Sequence, residues 1–467
     1  MKVPLFQRQS TGGVVARDGF DYQDAFLLQH IPLYLSQSAF SHAASELLGD
    51  VEVRYHRPGG GTFCVLHEAK RNQLTKNDFW AEVARFLELH GEAPDEYVRF
   101  VLVCGDFNGD FDPLFRKLER YRGPAESLNT DSSIRASAKA DIEATIVGLG
   151  QTKEVARFVL ERVSFVKYSD SDVAGSFTTM LATHLPTMAD MRGREIAAFR
   201  MRCKKLVDTS TKGLILRRSL ETELVECAPD LAQAWLGTAT RLQLLSQPSA
   251  RFEELALEVE PFNGSSRGAL GANKWAEICE QLTATGQFVL ASRARRGVLL
   301  SAKQRMSLAC TVGYCLSATR GFTLQMEHNG QVLDISSHER SGDKFFEISE
   351  DLPHPAGDEG IASISFPYPG QEDVVAAARS LGLAAAPKAF LVSGAVLTNV
   401  GALNTAVNEA KAALAAFRSR HRLSRVHLFI KVPAVFAMAL GHRLNGVGVV
   451  QLYDWVEVAY QPTVELR

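Results

Sequence analysis

Asp50 and the triplet Glu68-Ala69-Lys70 are the residues of this chain whose types and spacing suit a reaction. On a strand, residues i and i+2 share a face, so Glu68 and Lys70 project together while Ala69 points away. If the segment holding Asp50 pairs with the one holding Glu68, two carboxylates and an ammonium meet. Two carboxylates offer hard oxygen ligands to Mg²⁺, which keeps several waters, and Mn²⁺ is an expected substitute. Such an ion polarises a phosphodiester and lowers the pKa of a bound water. The ammonium orients that water or offsets the charge developing on the phosphorane. Asp50 and Glu68 are therefore the expected metal ligands, and Lys70 joins them as a catalytic residue. Glu52, two residues on and on the same face, is a second candidate for the Asp50 role. Gln23, in a helix opened by Gly19-Phe20-Asp21-Tyr22, is placed to reach the same metal. Spacing alone is weak, because charges alternating on an exposed strand commonly form ion pairs of marginal worth.

The surrounding pattern strengthens the reading. Leu47–His56 and Thr62–Ala69 read as strands joined by Arg57-Pro58-Gly59-Gly60-Gly61, a glycine-rich reversal, so the two form a hairpin. Phe63, Val65 and Leu66 make the second a core strand with charges at its end. Asn77–Leu89 has Phe79, Val83, Phe86 and Leu87 on one helical face, and Tyr97–Cys104 reads as a buried strand. Helix, hairpin, helix, strand is a small α/β domain with a core over about 1–130. The stretch Ser132–Gln247 reads as mostly helical. Its basic run (Arg200, Arg202, Lys204, Lys205, Lys212, Arg217, Arg218) reads first as a solvated helix face, with a nucleic-acid surface as the alternative. From Arg251 onward strands alternate with helices: Phe288–Ala291, Ile361–Phe366, Ala389–Ser393, Val426–Val432 and Val447–Tyr453 read as strands, and Ala402–Phe417 as an amphipathic helix. Such βαβ units build parallel sheets whose ligand sites lie at the carboxyl ends of the strands. The expected boundary lies at Gln247-Pro248-Ser249, dividing 1–247 from 248–467.

With 46% hydrophobic and 22% charged residues the chain is globular, not mainly disordered. Lys and Arg total 51 against 53 Asp and Glu, so any nucleic-acid surface must be a local patch. Seven scattered cysteines without a CxxC pair exclude a disulfide framework and a cysteine-rich zinc site, and suit a reducing cytoplasm. MKVPLFQRQSTGG lacks the apolar core of a signal peptide, and Val432–Gly441 is far shorter than the ~20 residues that span a bilayer. A cytoplasmic protein without a membrane segment is expected. No internal repeat is visible.

Taken together, these residues resemble the PD-(D/E)xK nuclease superfamily. More narrowly, Gly12-Gly13, GFDYQ, GDVEV, HEAK and the helix containing DFW are similar to the nuclease domain of bacterial antiphage effectors that end in a sensor called SAVED. HLFIKVPAVFAMALGHRL, VVQLYD and a closing strand with Tyr460-Gln461-Pro462 are similar to the SAVED ending. The chain departs from the superfamily in having Gln23 where many relatives carry Glu, and no proline before Asp50. The resemblance implies an α/β fold class, in which a restriction-endonuclease-like domain with a helical extension precedes a CARF-like SAVED domain. It also implies a role in cyclic-oligonucleotide-based antiphage signalling (CBASS). There a partner nucleotidyltransferase makes a cyclic oligonucleotide, commonly a trinucleotide. SAVED binds it, the protein self-associates, and the Mg²⁺-dependent nuclease degrades double-stranded DNA with little sequence preference. Ligand-driven association couples sensor to enzyme by mass action. Two other readings stay open: a catalytically inactive, ligand-sensing scaffold that recruits a partner, and a constitutive restriction-type nuclease.

A cyclic nucleotide needs donors for its phosphates and flat surfaces for its bases. Arg293, Arg295 and Arg296, just after the expected strand Phe288–Ala291, are the first choice. Ser393 and Lys431 end strands, and Lys431 precedes a helix beginning near Pro433 whose N–H groups suit an anion. Tyr314 and Tyr368 are candidates to stack on adenine. Asp106–Asp112 imitates a calcium loop, but its sixth and twelfth places hold Phe111 and Lys117, so it reads as a polar turn. His67 alternates to the face opposite Glu68 and reads as structural. Arg418, Arg420 and Arg422 complement a helix dipole.

Overall fold

The computed structural model describes residues 16–106, 109–126, 133–209, 213–246, 251–263, 268–342, 344–352 and 357–467. Gly12-Gly13, Lys212, Phe107 and Asn108 of the polar turn, and the expected boundary at Gln247-Pro248-Ser249 lie outside these. Along the chain, two compact units divide between Trp235 and Leu236.

In the first unit α1 (Ala16–Ser36) leads into β1 (Phe40–Ser45), β2 (Val51–His56) and β3 (Thr62–Lys70). Next come α2 (Lys76–Glu92), β4 (Tyr97–Cys104), α3 (Asp112–Glu126), α4 (Ser133–Gly148), α5 (Lys153–Arg162) and β5 (Val163–Lys167). The unit continues with α6 (Val173–His184), α7 (Gly193–Asp208), β6 (Ile215–Leu216), α8 (Arg217–Cys227) and α9 (Pro229–Gly237), whose last two residues fall past the division. The sheet order is β5-β4-β3-β2-β1-β6. The hairpin β2–β3 is antiparallel, whereas β3, β4 and β5 run parallel. Central β3 is buried continuously from Cys64 to Ala69, as expected of a strand covered on both faces. The Thr75 hydroxyl accepts the Asp78 N–H at 3.3 Å and starts α2. The α2 stripe Phe79, Val83, Phe86 and Leu89 is buried, with Phe86 stacked on Phe100 at 4.8 Å. The expected strand Leu47–His56 is shorter than foreseen, because Leu47–Asp50 form the turn out of β1, where Glu46 adopts φ 58°. β1 itself (FSHAAS) lacks a strand pattern and owes its form to pairing with β2.

The basic run splits. Arg202 pairs with Glu223 at 2.7 Å and Lys204 with Asp208 at 2.6 Å, a solvated face as expected. Arg217 departs from that reading, being 4% exposed in its side chain. Its Nε donates to Glu221 at 2.7 Å, Nη2 to the Leu35 carbonyl at 2.7 Å and Nη1 to the Gln37 carbonyl at 3.0 Å. A guanidinium thus satisfies carbonyls left over where α1 ends.

The second unit opens with β7 (Thr240–Arg241), β8 (Gln243–Leu245), β9 (Ala256–Glu258) and α10 (Ala272–Ser292). It proceeds through β10 (Gly297–Ser301), α11 (Met306–Cys315), β11 (Thr323–His328), β12 (Gln331–Asp334), β13 (Glu347–Asp351), β14 (Glu359–Ser365) and α12 (Gln371–Ser380). It closes with β15 (Lys388–Val392), α13 (Val400–His421), β16 (Arg425–Lys431), α14 (Ala434–Arg443), β17 (Val449–Val456) and β18 (Ala459–Leu466). Two sheets result, β12-β11-β10-β7 and β13-β15-β14-β16-β17-β18, beside a short β8–β9 ladder. Neighbours β15, β14, β16 and β17 are all parallel. Phe288–Ala291 is not a strand; it is the end of α10. Trp275, Ile278, Leu282, Thr285 and Val289 line the buried face of that helix at helical spacing, and this longer period overrides the local apolar run.

α11 and α14 cross with reciprocal contacts. Gly313 and Gly441 are each the eighth residue of their helix. A Cβ on Gly313 would fall 1.9 Å from the Met438 carbonyl oxygen, and one on Gly441 would fall 1.9 Å from that of Cys310. Cys310 and Met438 are in turn the fifth residues, so position i meets j and j meets i, the mark of a local two-fold. Two glycines and backbone spacing carry this relation, which explains why no repeat is visible in the sequence.

Candidate active site

The last ladder pair of β2 and β3 is Val51 with His67. The next step outward sets Asp50 across from Glu68, on one face. Asp50 closes the junction itself, its Oδ2 accepting the Ala69 N–H at 2.6 Å. Lys70 Nζ donates to Glu68 Oε1 at 2.7 Å. Asp50, Glu68 and Lys70 therefore come together at the end of the hairpin. Burial and the neighbouring Glu68 charge push the Asp50 carboxyl above its ordinary range, against the opposing pull of the Ala69 N–H and Lys70. Burial acts to lower the Lys70 ammonium, but the carboxylates of Glu68 and Glu82 outweigh it and hold the group above its usual value.

Glu82 and Arg85, one turn apart on α2, complete the surroundings. Lys70 Nζ lies 3.0 Å from Glu82 Oε1, and Arg85 Nε lies 2.9 Å from Glu82 Oε2. Arg85 Nη2 pairs with Glu68 Oε2, and its Nη1 donates to the Leu48 carbonyl at 2.9 Å. The four charges form a closed ring in which each stands between two of opposite sign. Sequence reading missed both α2 residues. Their only signal is an i,i+3 Glu–Arg pair, which is ordinary on any solvated helix.

The other expected residues lie elsewhere. Glu52 is buried, with its carboxylate committed: Oε1 accepts the Leu48 N–H at 2.9 Å, and Oε2 accepts Arg54 at 2.6 and 3.1 Å. Gln23 is buried on α1 and, among the described residues, forms no hydrogen bond to Asp50, Glu68 or Lys70. Among the described residues no three His, Cys, Asp or Glu side chains gather as a metal-binding group. Two carboxylates nevertheless fit a hard divalent cation that keeps waters and takes phosphate oxygens, and a cation relieves the repulsion felt at Asp50.

His67 packs away from Glu68, 5.4 Å from the Phe26 ring. Burial, aided by His30, pushes it down to about 3, and burial pushes His56 and His442 down to about 4. Each lies below the ordinary value in the folded chain, so the unfolded chain binds more protons between these values and about 6.5. Stability is complete above about pH 6.5 and is lost as pH falls. Between pH 6.5 and 5 each histidine is expected to cost on the order of 2 kcal/mol. Thermal unfolding at pH 7 and pH 5 checks this, and His67→Phe should blunt the difference. Identical midpoints at the two pH values contradict it.

In the second unit Ser393 and Lys431 stand at the carboxyl edge of the parallel sheet. The Ser393 N–H donates to the Ser365 carbonyl at 3.1 Å, and Lys431 Nζ reaches the Pro369 carbonyl at 3.2 Å and Asp373 at 3.3 Å. Tyr368, just past β14, is 73% exposed. Tyr314 lies on α11, its hydroxyl bonded to the Arg467 carbonyl. Arg293, Arg295 and Arg296 follow a helix and precede β10, so they sit at the amino edge of the parallel β10–β11 pair; Arg296 donates to the Arg320 carbonyl at 3.0 Å. The expectation that they close a strand is overturned, because the apolar run before them belongs to α10.

Residues 11–190 match the family model "Cap4, dsDNA endonuclease domain", and residues 281–466 match "SMODS-associated and fused to various effectors sensor domain", or SAVED. Relatives from Moraxella osloensis and an Acinetobacter species, both named CD-NTase-associated protein 4, are 37% and 36% identical over 467 residues, covering all of this chain and all of theirs. The chain belongs to the CD-NTase-associated protein 4 family. It is a DNA endonuclease with a SAVED sensor domain, and its α/β architecture agrees with the one the resemblance implied. Solved relatives agree. An Acinetobacter baumannii Cap4 SAVED/CARF-domain containing receptor with the cyclic trinucleotide 3'3'3'-cAAA matches with TM-score 0.88 at 34% identity, over 97% of this chain and 99% of that one. The same receptor with 2'3'3'-cAAA gives 0.87 at 35%, with the same coverage. A Moraxella osloensis Cap4 receptor gives 0.84 at 36%, over 97% and 100%. Among the described residues no helix is long and apolar enough to cross a membrane.

Proposed function

We propose that this chain degrades double-stranded DNA through Asp50, Glu68 and Lys70 with Mg²⁺ or Mn²⁺, and that a cyclic trinucleotide on its SAVED domain activates it by driving self-association. The observation that carries the catalytic half is the meeting of Asp50, Glu68 and Lys70 at the open end of the β2–β3 hairpin. Asp50 and Glu68 would hold the cation, which when bound supplies Lewis-acid polarisation and an activated water. Lys70 places a positive charge where the phosphorane gains negative charge. Asp50 is preferred to Glu52 because Arg54 and the Leu48 amide already consume the Glu52 oxygens. Gln23 keeps at most a supporting role from α1.

For the sensor, β14 leads to β15 on one side and β15 then crosses to β16 on the other, so the winding reverses beside β14. Open α/β sheets hold ligands in the crevice at such a point, outside the carboxyl ends. Ser393, Lys431 and Tyr368 stand at that edge, and among the described residues the buried Ser365 hydroxyl there has no hydrogen-bond partner. Lys431 supplies charge for a phosphate and Tyr368 a surface for a base. Arg293, Arg295, Arg296 and Tyr314 are not carried into this reading. A nucleotidyltransferase sharing the cytoplasm with this chain would make the activator.

The test is plasmid degradation by the full chain across cyclic di- and trinucleotides, with and without divalent cation, followed by sizing. Degradation and a rise in mass are expected only with cation and a cyclic trinucleotide. Equal degradation without nucleotide would mark a constitutive nuclease, and no cleavage with either Mg²⁺ or Mn²⁺ would overturn the assignment of the cation.

A further inference from the structure

Both oxygens of Glu68 already face cations, Lys70 on Oε1 and Arg85 on Oε2. A divalent ion ligated by Glu68 needs one of them. Lys70 and Glu68 are two residues apart on one strand, so their contact is built into β3. Arg85 arrives from α2 and has two further acceptors, Glu82 Oε2 at 2.9 Å and the Leu48 carbonyl at 2.9 Å. It can release Glu68 and still be satisfied. Its three nitrogens go to three different acceptors, so the rigid guanidinium, itself anchored by Glu82 and the Leu48 carbonyl, pins Glu68 at the single oxygen Oε2.

We propose that Arg85 is a positioning residue that aligns Glu68 and competes with the divalent cation for it. The inference rests on the nuclease reading above. With the ring closed, Arg85 neutralises a carboxylate that stands beside Asp50 and sets a threshold for metal entry. Glu82 counterbalances it, drawing both Arg85 and Lys70 off Glu68.

The test titrates Mn²⁺ alone into the full chain by calorimetry, without DNA or nucleotide. Removing a charge that is 31% exposed and in contact with a ligand changes affinity by roughly 5- to 10-fold. Arg85→Ala is therefore expected to bind Mn²⁺ tighter by that factor, while kcat for plasmid cleavage falls because Glu68 loses its alignment. Arg85→Lys, which keeps the charge, should stay near wild-type affinity. Glu82→Gln should weaken binding by a similar factor. Arg85→Gln repeats the test if the alanine variant fails to fold. A merely structural role cannot tighten metal binding, so a folded Arg85→Ala chain with unchanged or weaker Mn²⁺ affinity overturns the proposal. Glu68→Gln separates the two claims: if it leaves Mn²⁺ binding intact, the proposed role of Glu68 as a cation ligand falls. If it abolishes binding while Arg85→Ala changes nothing, only the role of Arg85 falls.

Discussion

Lys70→Ala is expected to lower DNA cleavage about 10²- to 10³-fold while the chain stays folded. The side chain of Lys70 is 38% exposed against 10% for Glu68, so the ammonium is the member of the pair open to an incoming phosphate. Its ion pairs with Glu68 and Glu82 hold it charged and aimed, yet they are partly solvated, and contacts of that kind contribute about 1 kcal/mol or less. Activity and stability should therefore separate. Plasmid degradation and thermal unfolding measured on the same preparation check this. Lys70→Arg should recover only part of the rate, since a planar fork does not reproduce a compact ammonium at one point. Cleavage at the wild-type rate by Lys70→Ala would remove the residue from the reaction.

Arg217→Ala is expected to destabilise the first unit by about 3–5 kcal/mol. Glu221, 2% exposed in its side chain, would be left as a buried charge without the Arg217 guanidinium beside it, the Leu35 carbonyl would lose the Arg217 donor, and the Gln37 carbonyl would keep only the Phe40 N–H. The guanidinium also stands 5.8 Å from the centroid of the Trp235 ring, and its attraction to that ring would disappear as well. Burial lowers the guanidinium to about 10, which shows how far desolvation opposes the charge even with Glu221 beside it. Replacing both partners by apolar residues, Arg217→Met with Glu221→Leu, should restore much of the stability, because no charge then stays buried alone. Urea unfolding of the two variants measures the difference. A single variant within 1 kcal/mol of wild type would mean that water reaches the pair.

Some of the site was legible because it depends on local covalent geometry. The two-residue period of a strand puts Glu68 and Lys70 on one face, and a glycine-rich reversal between apolar runs makes a hairpin wherever it occurs. The closing βαβ units were equally readable, since β14, β15, β16 and β17 lie within a residue or two of their expected spans, apart from the longer end of β17. The error at Phe288–Ala291 has the same root. Four apolar residues fit either period, and only the longer stripe from Trp275 to Val289 tells helix from strand. That misreading took Arg293, Arg295 and Arg296 to the wrong edge of the sheet.

Sequence by itself determined which side chains can share a face and, through motif order along the whole chain, the family to which it belongs. Tertiary structure decided which of those side chains are free to act. Glu52 and Asp50 stand two residues apart at the end of one strand, yet Arg54 and the Leu48 amide consume one of them. Glu82 and Arg85 are unremarkable helix residues until α2 lays them against Glu68. Arg217 looks like one more solvated cation until the end of α1 encloses it. The reason is common to all three. Periodicity fixes the direction of a side chain, but its lone pairs and charge are satisfied by groups distant along the chain, and only packing brings those together.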